Sequence, residues 1–138
     1  MKQIWVIMLV ISTGLLADFS RSGDVVTDSL TSLQWQDDAV GDTMEWQEAI
    51  DYCESLSLGD YDDWRLPNKK ELLSIVDYTK YDPSIDSQFQ NTTSSYYWSS
   101  TTYVNYTYSA WSVNFRNGST GSSNKDYGKY VRCVRAGQ

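Results

Sequence analysis

Eighteen carboxylates and no histidine bound the chemistry open to this 138-residue chain. Without imidazole, Ser-His-Asp and Cys-His catalysis and histidine-ligated zinc are excluded. A carboxylate pair could still support glycoside hydrolysis, and Asp60, Asp62, Asp63, Glu71 and Asp77 lie close enough in sequence to consider. The simpler interpretation of the same acids is a solvated turn followed by a helix cap, because a chain this acidic offers such pairs almost anywhere. Asp37, Asp38 and Asp42, and again Asp60, Asp62 and Asp63, cluster oxygen ligands of the kind calcium favours. Neither group has the D-x-[DN]-x-[DN]-G spacing of an EF-hand loop. The expectation is therefore no enzyme and no cofactor, with calcium the one ion these loops could take.

Recognition chemistry is concentrated further along. Between Tyr96 and Tyr130 the chain is dominated by Tyr, Ser, Thr and Asn. That composition matches a binding surface, where Tyr and Trp give contact area at little entropic cost and Ser or Asn adapt their hydrogen bonds. Aromatic faces beside amides and hydroxyls also suit sugar rings. The candidate ligand-binding residues are Tyr103, Tyr106, Tyr108, Asn114, Arg116, Asn117, Asn124, Lys125 and Tyr127. The alternative is an ordinary polar strand surface over a core of Trp98, Trp111, Val113 and Phe115. Asn91-Thr92-Thr93, Asn105-Tyr106-Thr107 and Asn117-Gly118-Ser119 have the form of glycosylation acceptors, which matters only in a host that modifies them.

The elements that must position these residues begin after an export signal. Met1-Lys2 is a short basic start, Ile4 to Leu16 is mostly apolar, and Ala17 precedes Asp18, so residues 1–17 read as a signal peptide. The apolar run is short for a membrane span, and membrane attachment would come only through an uncleaved signal. The expected location is secreted, periplasmic or cell-surface. Removing residues 1–17 takes away one charge, that of Lys2, leaving the rest more acidic than the chain's −7. Such a domain lacks the basic stripe that nucleic acid requires and is repelled by anionic membranes. Residues 18–138 amount to one domain. Cys53 and Cys133 read as one disulfide in an exported protein, with two free thiols as the alternative.

Val25–Asp28 and Leu33–Gln36 pattern as strands around a turn. Trp46, Ala49, Ile50, Cys53 and Leu56 repeat with helical spacing, with Asp42 as expected N-cap and Glu45 in the first turn. Pro67 keeps Leu66 out of the helical region, Asn68 is a good N-cap, and Glu71 completes a capping box. A second helix is expected from Lys69 to about Tyr78, followed by an irregular connection over Tyr81–Thr93. Tyr96–Ser100 and Tyr108–Phe115 are strand candidates, the latter with Trp111, Val113 and Phe115 on one face. Asn117-Gly118 is a hairpin signal, and Lys129–Arg135 the expected last strand, with Val131 and Cys133 inward. The order is that of an α+β domain: two helices packed on short antiparallel sheets, with a long irregular loop region.

Leu33-Gln34-Trp35-Gln36-Asp37-Asp38, Trp46 to Cys53, Asp62-Asp63-Trp64-Arg65-Leu66-Pro67-Asn68-Lys69-Lys70-Glu71-Leu72, Tyr97-Trp98-Ser99-Ser100, Ala110 to Phe115 and Tyr130 to Arg135 occur in this order. Together they resemble the Lcl C-terminal domain family, named after the C-terminal domain of a collagen-like bacterial adhesin. The resemblance covers nearly all of residues 18–138. It implies a C-type-lectin-like fold in exported bacterial proteins, with the Cys53–Cys133 link in the place of the long-range disulfide of such folds. It also implies binding and adhesion rather than catalysis, with a carbohydrate or a surface protein as ligand. The adhesin binds sulfated glycosaminoglycans through a basic surface, and this acidic chain departs from it there. The Glu-Pro-Asn or Gln-Pro-Asp tripeptide and Trp-Asn-Asp of calcium-dependent lectins are absent. Two other functions fit the residues: a structural or self-assembling cell-envelope protein, and a carboxylate-based glycan-active enzyme.

Overall fold

The computed structural model describes residues 18–39 and 41–137, so the signal peptide expected over residues 1–17 lies outside the described residues. Four short strands make the first sheet: β1 (Phe19–Ser22), β2 (Val25–Asp28), β3 (Leu33–Gln36) and β7 (Val134–Ala136), in the order β1-β2-β3-β7. The β2–β3 turn is set by Asp28, whose buried carboxylate accepts from the Leu30 amide and the Thr31 hydroxyl, both at 2.9 Å. Three strands make the second sheet: β4 (Tyr96–Thr102), β5 (Ser109–Asn114) and β6 (Thr120–Asn124). All strand pairs within the two sheets are antiparallel. With helices α1 (Trp46–Ser55) and α2 (Lys69–Ser74), this is an α+β domain.

β2 and β3 have the bounds their alternation predicts. β1 and β6 are additional: Phe19-Ser20-Arg21-Ser22 and Thr120-Gly121-Ser122-Ser123-Asn124 carry little apolar pattern, and pairing with a neighbouring strand makes them strands.

Three expectations need correction. First, α1 is capped at Glu45, not Asp42, and no side chain makes the cap. Met44 is held extended by reciprocal backbone bonds to Lys129, and the Trp46 amide donates to the Lys125 carbonyl at 3.0 Å, so helix cannot begin earlier. Second, α2 ends at Ser74, four residues before Tyr78. The Ile75 amide bonds back to the Leu72 and Leu73 carbonyls, and the Asp77 amide turns to the Ser84 carbonyl at 2.9 Å. Third, Lys129–Arg135 is not one strand. Tyr130 bridges to Tyr97 of the second sheet, whereas Cys133 and Val134 bond to Gln36 and Arg65, so the segment changes sheets midway. Cys133 is fully buried as expected and Val131 half-buried.

The core has two parts. Val26, Trp35, Leu72, Ile75, Tyr97, Val113 and Phe115 pack beneath α2. Ala49, Cys53, Trp64, Leu66, Trp98, Ala110 and Cys133 pack beneath α1, and the Cys53–Cys133 disulfide lies inside this second cluster. The Trp64-Arg65-Leu66-Pro67-Asn68 block ties the parts together: Trp64 and Leu66 are buried, and Arg65 pairs its backbone with Val134 at the free edge of β7.

Asn68 and Glu71 form the expected capping box, with Asn68 Oδ1 accepting from the Glu71 amide at 2.7 Å and Glu71 Oε1 from the Asn68 amide at 3.0 Å. Arg65 adds a bidentate pair to the same carboxylate, 2.7 Å to each oxygen. The Arg65 guanidinium holds the Glu71 carboxyl below its ordinary value, which burial opposes and the Asn68 amide reinforces. A folded-state value lowered in this way contributes stability fully present above the unfolded value, about 4.3, and lost as pH falls through the folded value. Urea unfolding between pH 7 and pH 3 should therefore show a smaller loss of stability in Glu71→Gln than in the parent, and equal slopes would rule the contribution out.

Candidate functional site

The β4–β5 loop, residues 103–108, is a compact aromatic turn. The Tyr103 amide bonds to the Ser109 carbonyl, the Tyr106 amide to Tyr103 and the Ser109 amide to Tyr106, at 2.8–3.1 Å. Its rings form a chain: Tyr103 meets Trp111 edge-on at 5.0 Å, Tyr106 lies 5.9 Å from Tyr103, and Tyr108 lies 5.7 Å from Tyr106. Tyr106 and Tyr108 are 56% and 60% exposed and Val104, between Tyr103 and Asn105, is 84% exposed, so the apolar surface of this turn faces solvent.

Two lysines brace the turn from opposite sides of β4. Lys125 Nζ donates to Thr102 Oγ1 at 3.0 Å and the Thr107 carbonyl at 2.8 Å, 4.0 Å from the centre of the Trp46 ring. Lys69 Nζ sits 3.5 Å over Trp111, and the Lys69 amide donates to Thr101 Oγ1. Adjacent strand residues point to opposite faces, so Thr101 receives the Lys69 amide and Thr102 the Lys125 ammonium.

The nine candidate residues do not form one surface. Tyr103, Tyr106, Tyr108, Asn124, Lys125 and Tyr127 gather at the aromatic end, since Asn124 pairs with Ser109 and the Lys125 amide bonds to the Tyr108 carbonyl. Tyr127 is exposed in the turn after β6, outside the chain of ring contacts. Asn114 ends β5, and Arg116 and Asn117 lie just beyond it, about 17 Å from the aromatic end for a strand of that length. There Asn114 Oδ1 accepts from the Arg116 amide and Asn117 Oδ1 from the Ser119 amide, so both amide side chains serve the hairpin turn. Gly118 completes that turn at φ +80°, where a Cβ would fall 2.6 Å from Val76 Cγ1. The Asn117-Gly118 signal thus corresponds to the observed turn, which both asparagines help to hold.

Trp46, Lys69, Val104 and Trp111 belong to the aromatic end but were not candidates. Trp111 shares a face with Val113 and Phe115, yet is half-buried at the margin of the core rather than inside it. Strand alternation identifies a face but not where along the strand that face emerges.

Several acidic residues are committed elsewhere. Asp63 takes Arg135 in a two-point pair, and that hydrogen bond holds its carboxyl below the usual range. The Thr79 hydroxyl and amide do the same for Asp77. With Glu71 also lowered, three of the five acids considered for glycoside hydrolysis are shifted away from the raised value a general acid requires. Asp60 and Asp62 are exposed. Among the described residues no three acidic side chains converge as a metal site.

With this geometry established, the sequence as a whole can be placed. A family model for the Lcl C-terminal domain matches residues 24–135. The chain belongs to the Lcl C-terminal domain family. The match runs from the residue before β2 to the second residue of β7, so in this Lcl C-terminal domain β1 lies outside the matched residues. A search of curated proteins finds no match to the chain.

Proposed function

We propose that this Lcl C-terminal domain is an exported, non-catalytic recognition module that binds a carbohydrate or a protein surface through its aromatic end. The observation that carries this reading is the ring chain from Trp111 through Tyr103 and Tyr106 to Tyr108, exposed at its tip and braced by Lys69 and Lys125. Rings held in place before binding lose little freedom on contact, which favours recognition over collapse of the turn onto the core. Export is supported by the disulfide, which persists in oxidising compartments. A C-type-lectin-like arrangement is supported by the return of β7 beside β3 and by the link from α1 to the segment before β7. The lowered carboxyls of Asp63, Glu71 and Asp77 favour binding over turnover.

Screening the purified protein on a glycan array and against extracted surface proteins, with and without calcium, tests the reading. Tyr106→Ala with Tyr108→Ala should weaken the binding found by at least about tenfold, because stacked aromatic anchors dominate such interfaces. The thermal midpoint should stay within about 2 °C, since both rings are largely exposed. Undiminished binding by the double variant would reject the aromatic end as the contact.

A second reading, self-association in the cell envelope, is favoured by Val104, whose exposed apolar side chain sits beside the tyrosines. Sedimentation that stays monomeric across a hundredfold range of concentration would remove it.

A further inference from the structure

A cleft of about 210 Å³ lies between α1, the acidic loop after β3 and the segment before β7, and none of the nine candidate ligand residues lines it. Gln36, Asp38, Asp42, Met44, Tyr52 and Tyr130 are among its walls. We propose that this cleft binds one organic cation, an ammonium or guanidinium group on an aliphatic stem.

The first argument is how the walls are held. Gln36 is 5% exposed, and its Oε1 accepts from the Cys133 amide at 2.9 Å. That bond fixes the amide, whose Nε2 donates to Asp38 Oδ1 at 3.0 Å and to the Tyr52 hydroxyl at 2.9 Å. One buried side chain therefore sets both a carboxylate and an aromatic ring, and the second oxygen of Asp38 accepts nothing from the described residues. This is the preorganisation a binding site needs, because the groups are oriented before the ligand arrives.

Charge selects the ligand. Arg132 also borders the cleft, but its two terminal nitrogens are spent on Asp37, the Gln36 and Asn91 carbonyls and the Thr92 hydroxyl, and only its buried Nε has no partner among the described residues. Asp38 and Asp42 have no ion-pair partner among the described residues. The cleft thus keeps an excess of negative charge, beside Tyr52, Tyr130 and Met44. A carboxylate next to aromatic and apolar walls suits an alkylammonium or guanidinium, which gains cation–π attraction as well as an ion pair. Calcium, which takes six to eight oxygens, fits such walls poorly. The volume is below the roughly 300–1,000 Å³ of sites for drug-sized ligands and suits one basic side chain or a small amine.

The cation could belong to a lysine or arginine of a partner protein or to a free amine, and NMR titration of the full chain separates the two. The probes are butylamine, butylguanidine, an acetyl-Gly-Lys-Gly amide and its Gln-containing counterpart. Saturable shifts of the Tyr52 and Tyr130 ring signals are expected with the cations and not with the neutral peptide. Tighter binding of the lysine peptide than of butylamine would assign the site to a protein side chain, and equal affinities to a free amine. Asp38→Asn retains the acceptor for Gln36 and removes only the charge, and should weaken binding by at least about tenfold. Tyr130→Leu provides an independent loss should Asp38→Asn unfold the chain. No saturable shift with any cation, an equal response to the neutral peptide, unchanged binding by both variants, or displacement by micromolar calcium would overturn the proposal. Tyr106→Ala with Tyr108→Ala should leave these shifts unchanged, so this cleft and the aromatic end fail or succeed separately.

Discussion

Replacing Asp37 with alanine is expected to lower the unfolding free energy by about 3–5 kcal/mol, the cost of removing one partner from a buried ion pair. Asp37 is 1% exposed and stands at the junction of four segments. Arg21 of β1 and Arg132, near the end of the chain, both donate to its carboxylate, and the amides of Gln90 and Asn91 add bonds of 2.7 and 3.1 Å. The long connection before β4 has neither helix nor strand between residues 81 and 95, so this carboxylate and Arg132 substitute for secondary structure there. Arg132 reaches the Asn91 carbonyl and the Thr92 hydroxyl at 2.9 and 2.8 Å. Equilibrium urea unfolding of Asp37→Ala, Arg132→Met and the double variant measures the effect. Either single change should be costly, and the double should cost less than their sum, because the second removal relieves a charge the first left unpaired. Amide exchange at Gln90 and Asn91 should accelerate in Asp37→Ala even under native conditions. A loss below about 1 kcal/mol, well under the cost of a broken buried pair, would show that the loop is held by its apolar residues Ile85 and Phe89 instead.

The second large effect concerns the disulfide. Cys53→Ala with Cys133→Ala should cost about 2–5 kcal/mol, as removal of a native disulfide from a small domain does. The bond closes a loop of 80 residues and joins α1 to the segment where the chain passes from one sheet to the other. Both cysteines are fully buried, so dithiothreitol should leave the native protein oxidised until denaturant exposes the bond. Urea midpoints of the parent, the parent with reductant and the double variant provide the comparison. A variant within about 1 kcal/mol of the parent would mean that Trp64, Leu66 and Trp98 hold α1 in place unaided.

Local rules were legible wherever the chemistry is local. The capping box at Asn68 and Glu71, the strand pairs around Ser29–Ser32 and the Asn117-Gly118 turn all lie within a few residues of the groups that satisfy them. The rules failed where a distant partner decides. α1 starts late because Lys125 and Lys129, some eighty residues on, bond to Trp46 and Met44. β6 has almost no apolar residue, and its pairing with β5 makes it a strand.

The candidate site divides in the same way. Its tyrosines were found by composition, which records how much aromatic surface a segment carries but not which end of a hairpin carries it. Two consecutive turns of a three-stranded sheet lie at opposite ends, and that geometry separates Arg116 from Tyr106 although they are only ten positions apart in the chain. The amino-acid sequence alone determined the α+β class, the cysteine pair, the acidic character and the family to which the domain belongs. Tertiary structure alone decided that Asp37 is a buried clamp, that Lys69 and Lys125 brace an aromatic end, and that Gln36 sets Asp38 and Tyr52 into a cleft. Each of these depends on side chains brought together from remote parts of the chain, and the identity of a residue does not specify the partner it will meet.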